Sequence, residues 1–536
     1  MSQAPKLTSQ ITVKINGQQL NRESFGKLAE ARVDQHTHLP GMFSLRFFDP
    51  ALKLLDEGTF DLTHSVEISA EGEGGKAVPL IQGVITALEP EFKAGMNAEL
   101  TVRGYDSLYK LYRDTKSKTF LNVKDSDLAE EIATANGLRS EVTATKTVHD
   151  HIYQDNESDF SFLSKRAWRN GFECFVDEKK LIFRKPSTKS ADSTLTWGQE
   201  LLWFSLRETL AEQVKEVVVK GWDVERQVPI IGRASEGQLY PDVVKSADVT
   251  KWAQDVGAGR LVIVDQPVAS QDEADILAAA RLDEISGAFI EAEGVALRRP
   301  EIKAGKALKL RGLGKRFSGI YLVTSTTHLY AADGFKTRFA VRGVRSGLLS
   351  EQIDQRSAAQ RWSGLVPAVV TNTEDPKNWA RIKLKFPWMS EKEESDWARV
   401  IGIGAGPEAG FYAVPAVNDE VMVAFIHGDF SQPVVLGGVW NGKHAVPPDS
   451  KVNNPGERPE VRVWRSRAGH KIVLYDNAEQ KLEIETKDGH HIILDDANNK
   501  VEIRSKGGLS ITSETNMELT AKGTMTLIGK PIELNP

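Results

Sequence analysis

Residues 501–536 read VEIRSKGGLSITSETNMELTAKGTMTLIGKPIELNP. Apolar pairs fall at Val501/Ile503, Leu509/Ile511, Met517/Leu519, Met525/Leu527 and Ile532/Leu534, so successive pairs are offset by eight, eight, eight and seven residues. Within a pair the spacing is two, which sends both side chains to one face of a β-strand. Glu, Ser, Thr and Lys fill most positions between, and Gly507, Gly508, Gly523 and Gly529 give the backbone freedom for turns. Each octad is then one short strand with one dry face. Two inward side chains per octad cannot close a core within one chain, since a single-chain β-helix spends about twenty residues per coil. Three copies, each giving one strand per layer, close a triangular prism with the apolar pairs along its axis. The alternative is a polar β-rich tail added to a sheet elsewhere.

A longer repeat precedes the octads. GHKIVLYDNAEQKLEIE (469–485) resembles GHHIILDDANNKVEIR (489–504), and each copy reads as two alternating strands around a polar turn, a β-hairpin. The residues expected to face the trimer axis are Leu482, Ile484, Ile492, Leu494, Val501, Ile503, Leu509, Ile511, Met517, Leu519, Met525 and Leu527.

Outward from the repeat, residues 446–460 form a Pro- and Asn-rich linker. Residues 361–445 carry five apolar runs: LVPAVV (365–370), ARIKLKF (380–386), WARVIGI (397–403), EVMVAFI (420–426) and PVVLGGV (433–439). Five short strands separated by Asp, Pro, Gly and Asn loops suit an OB barrel, the oligonucleotide/oligosaccharide-binding fold. Residues 1–350 alternate in the same way at ITVKING (11–17), FSLRFFD (43–49), PLIQGVITALE (79–89) and AELTVRGYD (98–106). The alternation returns at GKALKLRG (305–312), GIYLVTSTTHLY (319–330) and KTRFAVRG (336–343). Helices are predicted between them: 125–138, with Asp125 or Ser126 as N-cap and Gly137 at its end; 158–170, opening on Ser158-Asp159; and 271–287, stopped by Gly287.

ARIKLKFPW, WARV, AVPAVNDEVMVAF and HGDFSQPVVLGGVWNG, in that order, resemble the OB domain of VgrG proteins and of contractile-phage central spikes. The resemblance is carried by Arg381, Phe386-Pro387-Trp388, Trp397 with Arg399-Val400, Pro415, Asp419-Glu420-Val421, Gly428-Asp429, Pro433 and Gly437. Asn418 stands where that family often has Gly, and Asn also tolerates a left-handed backbone. Residues 1–350 resemble the baseplate-hub domain shared by VgrG and phage late-control proteins. There the carriers are Ile81-Gln82-Gly83-Val84-Ile85, Arg103-Gly104-Tyr105-Asp106, Tyr153, Glu157-Ser158-Asp159-Phe160, Phe162-Leu163 and Arg166. In the second half they are Gly312-Leu313-Gly314, Phe317, Gly319, Tyr321-Leu322-Val323-Thr324, His328 and Phe339. The opening ITVKING and the compact hub resemble the spike of phage-like extracellular contractile injection systems more closely than a type VI VgrG.

The expected chain is therefore mainly β: a tandem β-barrel hub with an α/β insertion at about residues 107–185, an OB-fold adaptor, and an intertwined trimeric β-helix over 461–536. The resemblance implies the structural central spike of a contractile phage-tail-like machine. Its partners would be two further copies of itself, a hexameric inner tube at the hub, baseplate proteins and effector cargo, with transient target-membrane contact. It also implies a small PAAR-like tip protein covering Ile532, Leu534, Asn535 and Pro536. The N-terminus MSQAPKLTSQITVKING lacks the apolar stretch of a signal peptide. Assembly in the cytoplasm, within a particle released by lysis or delivered outside the cell, is the expectation.

Composition fits this reading. The chain has 536 residues, 40% apolar and 26% charged, enough for several ordinary domains. A net charge of -6 gives no electrostatic reason to expect nucleic acid or an anionic membrane as main partner. The single cysteine, Cys174, excludes an intrachain disulfide and a cysteine-based zinc site, and reads as a small buried residue.

No enzyme, cofactor or metal site is predicted. The linker after Gly442 is too short for a catalytic domain, since domains begin near about 50 residues. His149-Asp150-His151 spells the HxH pattern that binds iron at some phage spike tips, but it lies mid-chain, and surface histidines are expected. His490 and His491 should point to opposite faces of a strand. Asp495-Asp496 read as solvated turn residues, with a calcium role as the alternative. Glu157 and Glu173 lack an identifiable second carboxylate for glycosidic chemistry. Two other functions stay open: a cell-wall-degrading glycosidase spike, and an OB-type nucleic-acid binder using Lys383 and Lys385. The acidic EKEESD (391–396) would repel phosphate from the latter.

Overall fold

The computed structural model describes residues 11–72, 75–188, 190–223, 226–239, 241–345, 364–387, 389, 393–450 and 460–532. The chain divides into two compact units, Met1–Gly438 and Val439–Pro536. Strands hold 44% of residues and helices 16%, so the chain is mainly β, as expected.

An eleven-stranded antiparallel sheet organises the first unit. From one edge to the other its strands are Leu201–Glu208, Ile290–Leu297, Gly334–Val341, Ser325–Ala331, Leu28–His36, Leu39–Phe48, Asn97–Asp106, Ala77–Lys93, Ser65–Glu71, Ile11–Ile15 and Gln18–Gln19. The sequence suggests two separate barrels. In the structure the strands of both halves belong to one sheet, because Ser325–Ala331 pairs with Leu28–His36 in unbroken register from Ser325/His36 to Tyr330/Ala31. Two side-chain bonds reinforce that seam: Thr327 Oγ1 donates to Asp34 (2.6 Å) and Thr326 Oγ1 to Gln35 (3.2 Å). Alternation still gives each half its own core. Phe43, Phe47, Phe60 and Val102 fill the first, and Phe289, Leu310, Tyr321 and Phe339 the second.

The halves share a packing device. Gly104 lies opposite Phe43 and Gly294 opposite Phe339 on neighbouring strands. A Cβ on Gly104 would meet the Val84 carbonyl at 2.0 Å and the Phe43 ring at 2.4 Å; on Gly294 it would meet the Phe339 ring at 2.4 Å. In both places the ring lies flat over bare backbone, which only glycine allows.

Two α/β pieces interrupt the sheet, the first between the halves and the second between the strands Leu201–Glu208 and Ile290–Leu297. The first contains the antiparallel pair Thr115–Lys124 and Val148–Ser158, the helices Asp125–Ala135 and Asp159–Asn170, and a three-stranded sheet that buries Cys174. Ser158 caps its helix by accepting from Ser161 N–H, and Gly171 ends it at φ +66°. The helix expected to be capped by Asp125 or Ser126 is capped one residue earlier, at Lys124, whose N–H donates to Asp127 (3.3 Å). The Asp125 carboxylate is engaged elsewhere, as described below. The second piece was not foreseen. It comprises the strands Glu216–Asp223, Val228–Ala234 and Arg260–Ile263, the helix Ser246–Asp255 and the foreseen helix Gln271–Gly287. Val217, Val219 and Ile230 pack on Ala274, Leu277 and Ala278 of that last helix.

All five strands expected in the OB region form, as Val366–Asn372, Lys383–Lys385, Arg399–Val400, Glu420–Phe425 and Pro433–Gly438. Their sheet closes on itself where Ile382 and Ala398 exchange backbone hydrogen bonds of 3.0 and 2.8 Å. Asn418 takes the left-handed conformation expected of it, at φ +73°. Trp388 lies outside the described residues.

In the second unit, Val461–Arg465, Lys471–Tyr475, Lys481–Glu485, His491–Asp495 and Lys500–Arg504 form an antiparallel meander. Both expected hairpins are present. Residues 505–532 differ from expectation: they carry no strand, and from 506 onward they are exposed throughout. An octad supplies one short strand, and its own chain offers no second strand in ladder with it.

Gly104→Val should force the Phe43 ring and the Val84 carbonyl apart and cost about 3 kcal/mol or more. Gly364→Ala, with open space around it, should be near neutral. Thermal melts of the two variants check this pair of expectations.

Candidate functional site

The meander has two unlike faces, set by cross-strand register. One ladder runs Trp464, Ile472, Ile484, Ile492, Ile503, and its neighbour runs Arg462, Leu474, Leu482, Leu494, Val501. Four consecutive strands therefore place eight aliphatic side chains on one surface. That surface is open, and more so along the sheet, from 42% exposure at Ile484 to 68% at Val501. The opposite face is charged and paired. Lys471 Nζ lies 2.8 Å from Glu485, 3.3 Å from Glu483 and 3.3 Å from Asp449. An apolar face of this size, left uncovered by the described residues, makes this surface the candidate site.

The predicted trimer-core residues divide accordingly. Leu482, Ile484, Ile492, Leu494, Val501 and Ile503 are brought together on this face. Leu509, Ile511, Met517, Leu519, Met525 and Leu527 lie along the exposed tail. Of the predicted tip contacts, Ile532 is exposed, and Leu534, Asn535 and Pro536 lie outside the described residues. The paired histidines separate as expected: His491 Nε2 meets Glu502 (3.1 Å), while His490 Nδ1 meets Ser505 (3.1 Å). Asp495 accepts from Asn498 N–H (2.9 Å), a turn contact.

A second constellation lies in the first unit, where the α/β insertion meets the OB barrel around a cleft of about 590 Å³. The expectation of surface histidines at 149 and 151 is corrected here. His149 Nδ1 sits 2.7 Å from Glu273 and its Nε2 3.3 Å from Asp125. Asp125 also takes Arg166 Nε and, at 2.7 Å, Asn170 Nδ2. Four elements, distant in sequence, meet in one nearly dry network. Burial alone would raise the Asp125 carboxyl, but Arg166 and His149 outweigh it and hold it below the usual carboxylate range. Burial likewise opposes ionised Glu273; His149 and Arg169 outweigh it and bring its pKa to about 2. His151 is also buried, at 9% exposure.

On the barrel side, Asp375 accepts from the N–H groups of Lys377, Trp379 and Arg381 and from the Arg381 guanidinium at 2.6 Å. The Arg381 bond holds its carboxyl well below the usual range. Arg381 lies over the Trp379 ring (5.2 Å) and the Trp397 ring (5.8 Å), and Lys383 over Trp397 (5.5 Å). Lys383 also pairs with Glu394 at 2.6 Å, so the cation considered for phosphate binding is already engaged. The two glutamates considered for glycosidic chemistry are structural: Glu157 pairs with Lys165 (2.7 Å) and Glu173 with Arg184 (2.9 Å). Burial raises Glu173 to about 7. Buried Cys174 is pushed up to about 12, which makes it inert.

Sequence reasoning missed Asp375 and the partners of His149. Asp375 opens the turn DPKNW, an Asx-turn signal that was available. Asp125 and Glu273 carry no local signal, since their partner is remote in sequence.

Comparison with known proteins agrees with the β architecture. The model of a family described as "Alg8 N-terminal domain" matches residues 8–331, and that of the "Type VI secretion system/phage-baseplate injector OB domain" matches 366–440. The type VI secretion system spike protein VgrG1c of Pseudomonas aeruginosa is 26% identical over 147 residues, 23% of this chain and 20% of that protein. VgrG3 of Vibrio cholerae is 37% identical over 81 residues, 14% and 8% respectively. The chain thus spans about a fifth or less of the length of these relatives. Among solved structures, a chain of the lidless PdpA–VgrG complex superposes with a TM-score of 0.53 at 10% identity, covering 93% of this chain and 98% of that one. A chain of the half-lidded Francisella complex gives 0.53 at 8% identity, covering 93% and 88%.

Asp375→Ala should destabilise the OB barrel by about 3 kcal/mol, because it leaves Arg381 without its buried partner. The folded carboxyl titrates below its unfolded value. Its contribution is therefore full above about pH 4 and fades as pH falls further. Thermal melts down to about pH 3 should show a shallower acid decline for Asp375→Asn than for the parent.

Proposed function

We propose, because the chain belongs to the Alg8 N-terminal domain family and is a VgrG-like spike protein, that it is the homotrimeric central spike and hub of a contractile phage-tail-like injection machine. One observation carries the proposal: the eight-residue aliphatic face that the meander leaves uncovered. Covering a half-exposed Leu or Ile gains about 1 kcal/mol. Three identical faces meeting on an axis would cover all of them, since each chain brings the same dry side. The octad tail would prolong that axis as a prism, with Leu509, Ile511, Met517, Leu519, Met525 and Leu527 inward.

In this reading residues 1–350 form the hub and its two barrels, 361–445 the adaptor, 446–460 a linker and 461–536 the needle. The hub meets a hexameric inner tube and baseplate proteins, and exposed Ile532 belongs to the surface that a separate tip protein covers. The role is structural. The paired states of Glu157, Glu173 and Lys383 favour it over the glycosidase and nucleic-acid readings.

Light scattering on the purified chain should return three times 59.2 kDa. Ile492→Asp and Leu519→Asp would each place three carboxylates on the axis, a cost of several kcal/mol, and should yield monomers. A monomeric parent, or trimers that tolerate both substitutions, would refute the inward face assigned here.

A further inference from the structure

The strand Val148–Ser158 belongs to the α/β insertion, yet its Tyr153 sits in the hydrophobic core of the OB barrel. There the Tyr153 ring stacks on Phe430 with centroids 4.3 Å apart. His151, two residues earlier on the same strand face, is buried beside this plug. Neither of its ring nitrogens has a hydrogen-bond partner among the described residues. A buried polar group in that state needs an explanation, because such groups are nearly always satisfied.

The cleft that His151 lines is rich in charge, with Glu157, Lys165, Arg169, Arg381 and Arg399 also on its wall. From the OB barrel, Asp396 and Asp429 act on it across space, and Lys383 opposes them. On its own strand, His149 is committed to Asp125 and Glu273, and Asp150 is exposed. On the helix Asp159–Asn170, Arg166 is committed to Asp125 and His149. No carboxylate among the described residues stands in hydrogen-bond contact with His151 to receive a proton gained there.

We propose that His151 is a pH-sensitive latch, neutral when the insertion is docked on the OB barrel and charged when Tyr153 leaves the barrel core. Burying an unpaired imidazolium is costly, so protonation and docking oppose each other. The pKa direction agrees: burial lowers it, more strongly than Asp396 and Asp429 raise it. A histidine depressed in the docked state stabilises docking fully above its unfolded value of about 6.5 and loses that contribution as pH falls through the docked value.

His149 behaves in the opposite sense. Burial and the neighbouring Arg166 cation disfavour its charge, but Asp125 and Glu273 outweigh both and raise its pKa. Its stabilisation is present below about pH 6.5 and is lost as pH rises through the raised value. Acid therefore tightens the network that ties the insertion to the helix Gln271–Gly287 while it loosens the seam with the barrel. The two histidines make the response local: the joint opens and the insertion stays folded.

Hydrogen exchange on the full-length protein tests this. Between about pH 7.5 and 5, after correction for intrinsic rates, peptides covering 148–158 and 426–433 should exchange about tenfold faster at the acid end. Peptides of the helix Asp125–Ala135 should hold or gain protection. His151→Phe, which keeps the ring and removes the titration, should abolish the acid response; His151→Leu serves if the first variant does not fold. An unchanged seam in the parent, acid protection of the seam, or an acid response that survives both substitutions would each overturn the latch.

Discussion

The seam between Leu28–His36 and Ser325–Ala331 sets the frame of the larger unit. Six register pairs join residues almost three hundred positions apart, and every element between them hangs from the two ends of that ladder. Both α/β pieces are long excursions from one sheet. Loop closure grows only slowly with length, so a sheet tolerates excursions of this size once its own strands supply the enthalpy. Each piece buries a core of its own, and Val249 of the helix Ser246–Asp255 adds to the second core of the hub.

Much of this was legible in the chain. Period-two alternation located part of the hub sheet and all five strands of the OB barrel, since each has one buried and one wet face, but it passed over Leu28–His36, Ser65–Glu71, Leu201–Glu208 and Ile290–Leu297. Ser158 and Gly137 bounded helices through local capping chemistry that needs no tertiary context, whereas Gly287 ends its helix without a left-handed cap. What could not be read was remote. Strand Glu216–Asp223 owes its burial to the helix Gln271–Gly287, and His149 owes the upward shift of its pKa to Asp125 and Glu273. The joining of strands from both halves in one sheet was likewise invisible, because alternation specifies a face and not a neighbour.

The octad tail teaches a related lesson. Its spacing is as regular as any in the chain, yet regular spacing alone made no strand of residues 505–532. The meander before it has the same dry-face pattern and does form strands, because its hairpin turns at Gly469 and Gly489 fold the chain back beside itself. Periodicity states what a segment would bury. Only connectivity states whether its own chain can supply the neighbour.

The long seam also has a consequence during synthesis. A ribosome adding about 5–20 residues per second takes roughly 15–60 s to travel from His36 to Ala331. For that interval Leu28–His36 has emerged with one edge unpaired, and the first core, which includes Phe335, lacks a member. The cores of the intervening α/β pieces can form meanwhile, since the buried members of each lie within that piece. Nascent chains should therefore accumulate with finished excursions and an unfinished sheet, and holding that edge apart from other nascent chains falls to the cell's chaperones.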